Sequence, residues 1–173
     1  MAGLTIDEMR LSPNAKRAAQ LVLKAHPDAR FTSGRRDVMD QARVMAQNVV
    51  RYGPAWLKDT YKDQRMVRLL MTYTEEHKDQ ASSPKLLAVG FYETLQEHFA
   101  GSLTKFPHVR GDAFDIAWPM LPDGLIDRIT GDAICRTIEM LPVELGLQLI
   151  LKREGKLDVI HAQFNHQPQP TEV

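Results

Sequence analysis

The period of the apolar residues changes near Asp112, and this limits the fold more than any other feature. Between Ser12 and about residue 100 the apolar side chains recur at helical spacing. Over residues 112–118 they alternate with polar ones, as in a half-buried strand. Helices followed by strands predict an α+β fold, with several helices packed on a small, mostly antiparallel sheet.

Local signals bound the elements. Ser12 and Pro13 open a helix carrying Ala18, Leu21, Val22 and Ala25, and His26-Pro27 ends it, because the residue before proline leaves the α region. Residues 29–32 form a short extended segment before a Ser33-Gly34 turn. Asp37 caps a helix with Val38, Ala42, Met45, Ala46 and Val49 inward, stopped at Gly53-Pro54. Residues 55–100 are expected to be almost wholly helical, with a new start at Ser83-Pro84 and an end at Ala100-Gly101-Ser102. Residues 112–118 form a strand, and a helix follows from about Leu125 to Leu141 with Ile126, Ile129, Ile134 and Ile138 inward. Residues 147–151 and 157–164 form a hairpin about a Glu154-Gly155 turn. One domain over residues 1–164 is expected, with a frayed tail over 165–173.

Composition excludes several classes. Of the 173 residues, 43% are hydrophobic and 25% charged, which suits a packed soluble chain. Lys+Arg and Asp+Glu are 22 each, so there is no basic excess of the kind that neutralises phosphates. Arg35, Arg36, Lys58, Lys62, Arg65 and Arg68 are interleaved with Asp37, Asp40, Asp59 and Asp63, which describes a mixed solvated face and not a nucleic-acid surface. No apolar stretch approaches the ~18 residues of a membrane span. The amino terminus has no basic segment followed by an apolar run, so synthesis in the cytoplasm without a signal peptide is expected. Cys135 is alone, sits among apolar helical neighbours and reads as a buried structural thiol.

Two places put metal-type ligands beside strands: His108 through Asp115, and Asp158 through His161. A catalytic zinc site takes three protein ligands from His and carboxylate and leaves a fourth position open. His108, Asp115 and His161 make up such a set. His108 and Asp115 are seven positions apart, so one straight strand aims them at opposite faces. Gly111 can bend the chain between them, and Asp158 can precede the regular strand that carries His161. Spacing alone leaves a metal site and three ordinary polar residues equally open. His77 and His98 have no partner at ligand spacing and read as surface or packing residues.

His108-x-x-Gly111-x-Ala113-x-Asp115 resembles the His-x-x-Gly-x-Ala-x-Asp signature of the zinc D-alanyl-D-alanine metallopeptidase superfamily, which holds carboxypeptidases, dipeptidases and phage L-alanyl-D-glutamate endolysins. Ser33-Gly34-Arg35-Arg36-Asp37, with Gln41 downstream, resembles its Ser-Gly-Tyr-Arg-Ser segment. Asp158-Val159-Ile160-His161 resembles its acidic-x-x-His segment, and His161-Ala162-Gln163-Phe164 the sequence that follows in the endolysin branch. The resemblance implies the fold shared by Hedgehog and D-Ala-D-Ala peptidases. It implies that His108, Asp115 and His161 bind Zn²⁺, that Asp158 is the general base, that Arg36 stabilises the oxyanion and that Gln41 lies in the substrate site. Four features depart from the pattern: Phe106 replaces a serine, Arg35 a tyrosine and Asp158 the glutamate of the carboxypeptidases, and a long helical stretch separates Gln41 from His108. Register favours Arg36 over Arg35, and Glu154 is the alternative base.

The expected activity is zinc-dependent hydrolysis of an amide in the peptidoglycan stem peptide by a monomer with no membrane anchor. L-alanyl-D-glutamate is the candidate bond. Such an enzyme acts at the cell wall after release or within a virion. The alternatives are a D-alanyl-D-alanine carboxypeptidase and a non-catalytic wall-binding module that retains the fold.

Overall fold

In the computed structural model of the chain, residues 3–99, 106–152 and 158–166 are described. They form two compact units, Met1–Arg35 with Arg110–Val173, and Arg36–Val109. Among the described residues there are seven α-helices and a four-stranded antiparallel sheet, so the chain is α+β. Among the described residues, no helix is long and apolar enough to cross a membrane.

The first unit is built on the sheet. Helix α1 (Pro13–Ala25) begins on a proline, whose missing N–H costs nothing in the first turn, and ends at His26, ahead of Pro27. Its buried face is Ala15, Ala18, Ala19 and Val22; Leu21 is at the margin, and the expected inward Ala25 is exposed. The strands are β1 (Phe31–Ser33), β2 (Ala113–Ala117), β3 (Leu147–Leu151) and β4 (Val159–Phe164), in the order β1-β2-β4-β3. Ser33 therefore belongs to a strand, where the sequence reading put it in a turn. Phe31, Phe114, Ile116, Ile160, Ala162 and Phe164 join α1 in one core. Each of these aromatic side chains contributes ~1.5–3 kcal/mol when fully buried, so this cluster dominates the stability of the unit. Phe31 meets Phe114 edge to face at 5.3 Å.

The last helix of this unit corrects the sequence reading. It begins at Arg128, because Asp127 caps it by accepting from Thr130 N at 3.0 Å, and it runs to Glu139. We label it α7, after the helices of the second unit. It buries Gly131, Ile134, Cys135 and Ile138, whereas Ile129 is exposed. Ile129 lies five residues before Ile134, about 140° round the helix from it, so the two do not share a face. Burial also pushes the Cys135 thiol pKa up, which keeps it protonated and inert.

The second unit is helical. Asp37 caps α2 (Val38–Tyr52) by accepting from Asp40 N at 2.7 Å, and Gly53 ends it at φ 85°. The stretch expected to be almost wholly helical is three helices, α3 (Ala55–Thr60), α4 (Gln64–Glu76) and α5 (Pro84–Phe99). Asp63 caps α4 through Arg65 N and Met66 N. Ala42, Met45, Ala46 and Val49 of α2 are buried, as are Leu87, Phe91 and Leu95 of α5. A one-turn helix, α6 (Pro107–Arg110), carries the chain across the boundary between the units. The expected Ala100-Gly101-Ser102 stop, the Glu154-Gly155 turn and most of the tail lie outside the described residues.

Candidate metal centre

Strand register brings the first two ligands together. Strands β2 and β4 are antiparallel, and Asp115 pairs directly with His161. Directly opposed residues project from one face of a sheet with Cβ atoms about 4.5–5.5 Å apart. Phe114, Ile116, Ile160 and Ala162 alternate with this pair and fill the hydrophobic core. The same alternation that buries the aromatic residues on one side therefore sends Asp115 and His161 to the other. His161 Nδ1 lies 2.9 Å from Asp115 Oδ1, and both side chains are buried. The pair is within hydrogen-bond distance, with the carboxylate oxygen as acceptor when Nδ1 carries the proton.

A change of backbone direction supplies the third ligand. His108 is buried on α6, and Gly111 has φ 80° between that helix and β2. This left-handed conformation is open to glycine and strained for other residues. A Cβ at Gly111 would also lie 3.0 Å from Arg10 O and 3.1 Å from Ser12 N. The parity problem of the seven-position offset between His108 and Asp115 disappears, because only Asp115 lies on the strand. His108 itself sits on a turn of helix.

One ligand atom from each of His108, Asp115 and His161 lies within 4.8 Å of the other two. Atoms bound to a common zinc at ~2.0–2.2 Å are about 3.3 Å apart at the tetrahedral angle, so the trio is already close to coordination spacing. Two imidazoles and a carboxylate suit a borderline divalent ion. This buried group can hold a metal ion.

The other candidate residues have distinct settings. Asp158 is exposed and stands one residue before β4, as its parity with His161 requires; its carbonyl accepts from Trp118 N at 3.4 Å. Arg36 N donates to His108 O at 3.0 Å, and Arg36 Nη1 lies 3.4 Å from Gln41 Oε1. Gln41 is buried on α2 and donates from Nε2 to Tyr61 Oη at 2.9 Å. Gln41 thus connects Arg36 to Tyr61. Tyr61 was not singled out in the sequence, because an aromatic residue in a helical stretch reads as packing, and it does stack edge-on with Trp56 at 5.7 Å. Arg35 N donates to Met9 O at 2.8 Å, and its side chain passes beside Gly111. His77 caps α4 and stacks on Tyr73 at 4.1 Å, and His98 lies 3.8 Å from Glu97. Glu154 lies outside the described residues.

Fold and site together define an α+β chain with a buried His-Asp-His group able to bind metal. No family model, no curated protein and no solved structure matches it.

Proposed function

We propose that the chain is a zinc-dependent amidohydrolase of the D-alanyl-D-alanine metallopeptidase type, acting on the stem peptide of peptidoglycan. The observation that carries this reading is the convergence of His108, Asp115 and His161, buried, with ligand atoms within 4.8 Å. These residues would hold the ion. An ion bound there supplies Lewis acidity, which polarises a carbonyl and lowers the pKa of water. Asp158, exposed just ahead of the strand that carries His161, takes the proton from the attacking water. As the C–N bond breaks, Asp158 returns that proton to the leaving amine. Arg36 donates to the oxyanion of the tetrahedral state, and one such donor is worth ~3 kcal/mol. Gln41, held by Tyr61, orients the Arg36 guanidinium.

Mass spectrometry of fragments released from purified peptidoglycan tests the proposal. Cleavage between L-alanine and D-glutamate identifies the endolysin-like activity, and release of D-alanine alone identifies the carboxypeptidase. Absence of any released fragment from the zinc-loaded protein rejects both.

A further inference from the structure

We infer that Asp112, clamped by Arg110 and His166, is a positioning residue for this metal centre. The inference rests on the metal-binding part of the proposed function and not on the identity of the substrate. Asp112 is fully buried. Its Oδ2 lies 2.6 Å from Arg110 Nε and 2.9 Å from His166 Nδ1. Its Oδ1 is buried without a hydrogen-bond partner among the described residues.

Stability does not explain a buried charge in this position. Desolvating a carboxylate costs several kcal/mol, and apolar substitutes for buried ion pairs are often neutral or stabilising. The location of Asp112 does explain it. The residue follows the Gly111 bend and lies between the two ligands of the 108–115 segment. Arg110 shares the single turn of α6 with His108, and its Nε is an ion-pair partner of Asp112, one residue before β2, without hydrogen-bond geometry. On the other side, Asp112 O accepts from Phe164 N at 2.8 Å while its carboxylate takes His166. Main chain and side chain of one residue thereby pin the end of β4 to the start of β2. That pin sets the register in which Asp115 faces His161. A slip of one residue would turn either ligand toward the opposite face of the sheet. The clamp therefore acts on all three ligands without touching an ion.

The test compares wild-type protein, Asp112→Asn and His166→Ala in zinc affinity, the visible spectrum of the cobalt-substituted protein and apo-protein melting. His166 is nearly half exposed, so its truncation provides a folded variant even if Asp112→Asn is unstable. Zinc binding weaker by roughly 10–100-fold in Asp112→Asn, and by several-fold in His166→Ala, with a changed cobalt spectrum, is the expected result. Lower apo melting temperatures with wild-type zinc affinity and cobalt spectrum would reduce the clamp to a structural role and overturn the inference. Failure of the wild-type protein to bind zinc would overturn the metal reading and the clamp together.

Discussion

Asp115→Asn separates a metal ligand from an ordinary buried hydrogen-bond partner. Asparagine keeps the size of the side chain and can still accept from His161 Nδ1 through Oδ1, so the 2.9 Å contact can survive in the apo protein. The change removes the charge. A hydrogen bond to a charged group is worth ~1.5–3 kcal/mol and a neutral one ~0.5–1.5 kcal/mol, so the apo variant should lose about 1 kcal/mol. For a chain of this size that lowers Tm by roughly 2–4 °C. Zinc acts on a larger scale. At a free concentration 100 times its Kd, a ligand bound only to the native state stabilises it by ~2.7 kcal/mol, or roughly 5–11 °C at the same conversion. Differential scanning fluorimetry, with and without zinc and with a chelator control, reads both effects. Wild type should show the zinc-dependent rise and lose it to the chelator, whereas Asp115→Asn should melt slightly lower and show almost no rise. An equal zinc-dependent rise in the two proteins would refute the assignment of Asp115 as a ligand.

Three further outcomes are expected. Asp158→Ala should bind zinc as wild type does yet release stem-peptide fragments from peptidoglycan about 10²–10⁴-fold more slowly, since the proton acceptor is gone while the metal ligands remain; wild-type turnover would locate the base elsewhere. Gly111→Ala should destabilise the fold by about 1–3 kcal/mol in chemical denaturation, because the methyl group meets Arg10 O at a φ of 80°; an unchanged midpoint would show that the bend tolerates a side chain. The Asp127 carboxyl is held below its ordinary pKa by hydrogen bonds from the Thr130 side chain and backbone at the start of α7. A depressed folded-state pKa contributes stability that is present above the unfolded value near ~3.9 and lost as pH falls through the folded value. The Tm gap between wild type and Asp127→Ala should accordingly hold at neutral pH and shrink below about pH 4; a gap that widens with acid would contradict this.

Local chemistry made much of the fold legible. Ser12-Pro13 and His26-Pro27 mark the ends of α1, and Asp37 and Gly53 those of α2, because capping and proline sterics act within a few residues. The alternation over residues 112–118 located β2, but the expected half-buried pattern is absent, since Ala113 to Ile116 are all buried. Features set by distant partners were harder to read. Ile129 was expected inside because it is apolar, but it lies about 140° round α7 from the buried Ile134 and is exposed. The site shows both cases. Its three residues were visible as a ligand set, and the need for a bend at Gly111 followed from strand parity. The opposition of Asp115 and His161 is a matter of register between strands 46 residues apart in sequence, which no local pattern specifies. The contacts of Asp112 with His166 and of Gln41 with Tyr61 arise only on folding, so Asp112, His166 and Tyr61 carried no signal, whereas Gln41 was marked by the resemblance alone.

The most direct test of the metal centre is the zinc content of the purified protein after equilibrium dialysis, measured by elemental mass spectrometry for wild type and for His108→Ala, Asp115→Ala and His161→Ala. About one zinc per wild-type chain, with loss of most of it in each single variant that remains folded, is the predicted result. A wild-type chain without zinc, or three folded variants that all retain it, would contradict the account.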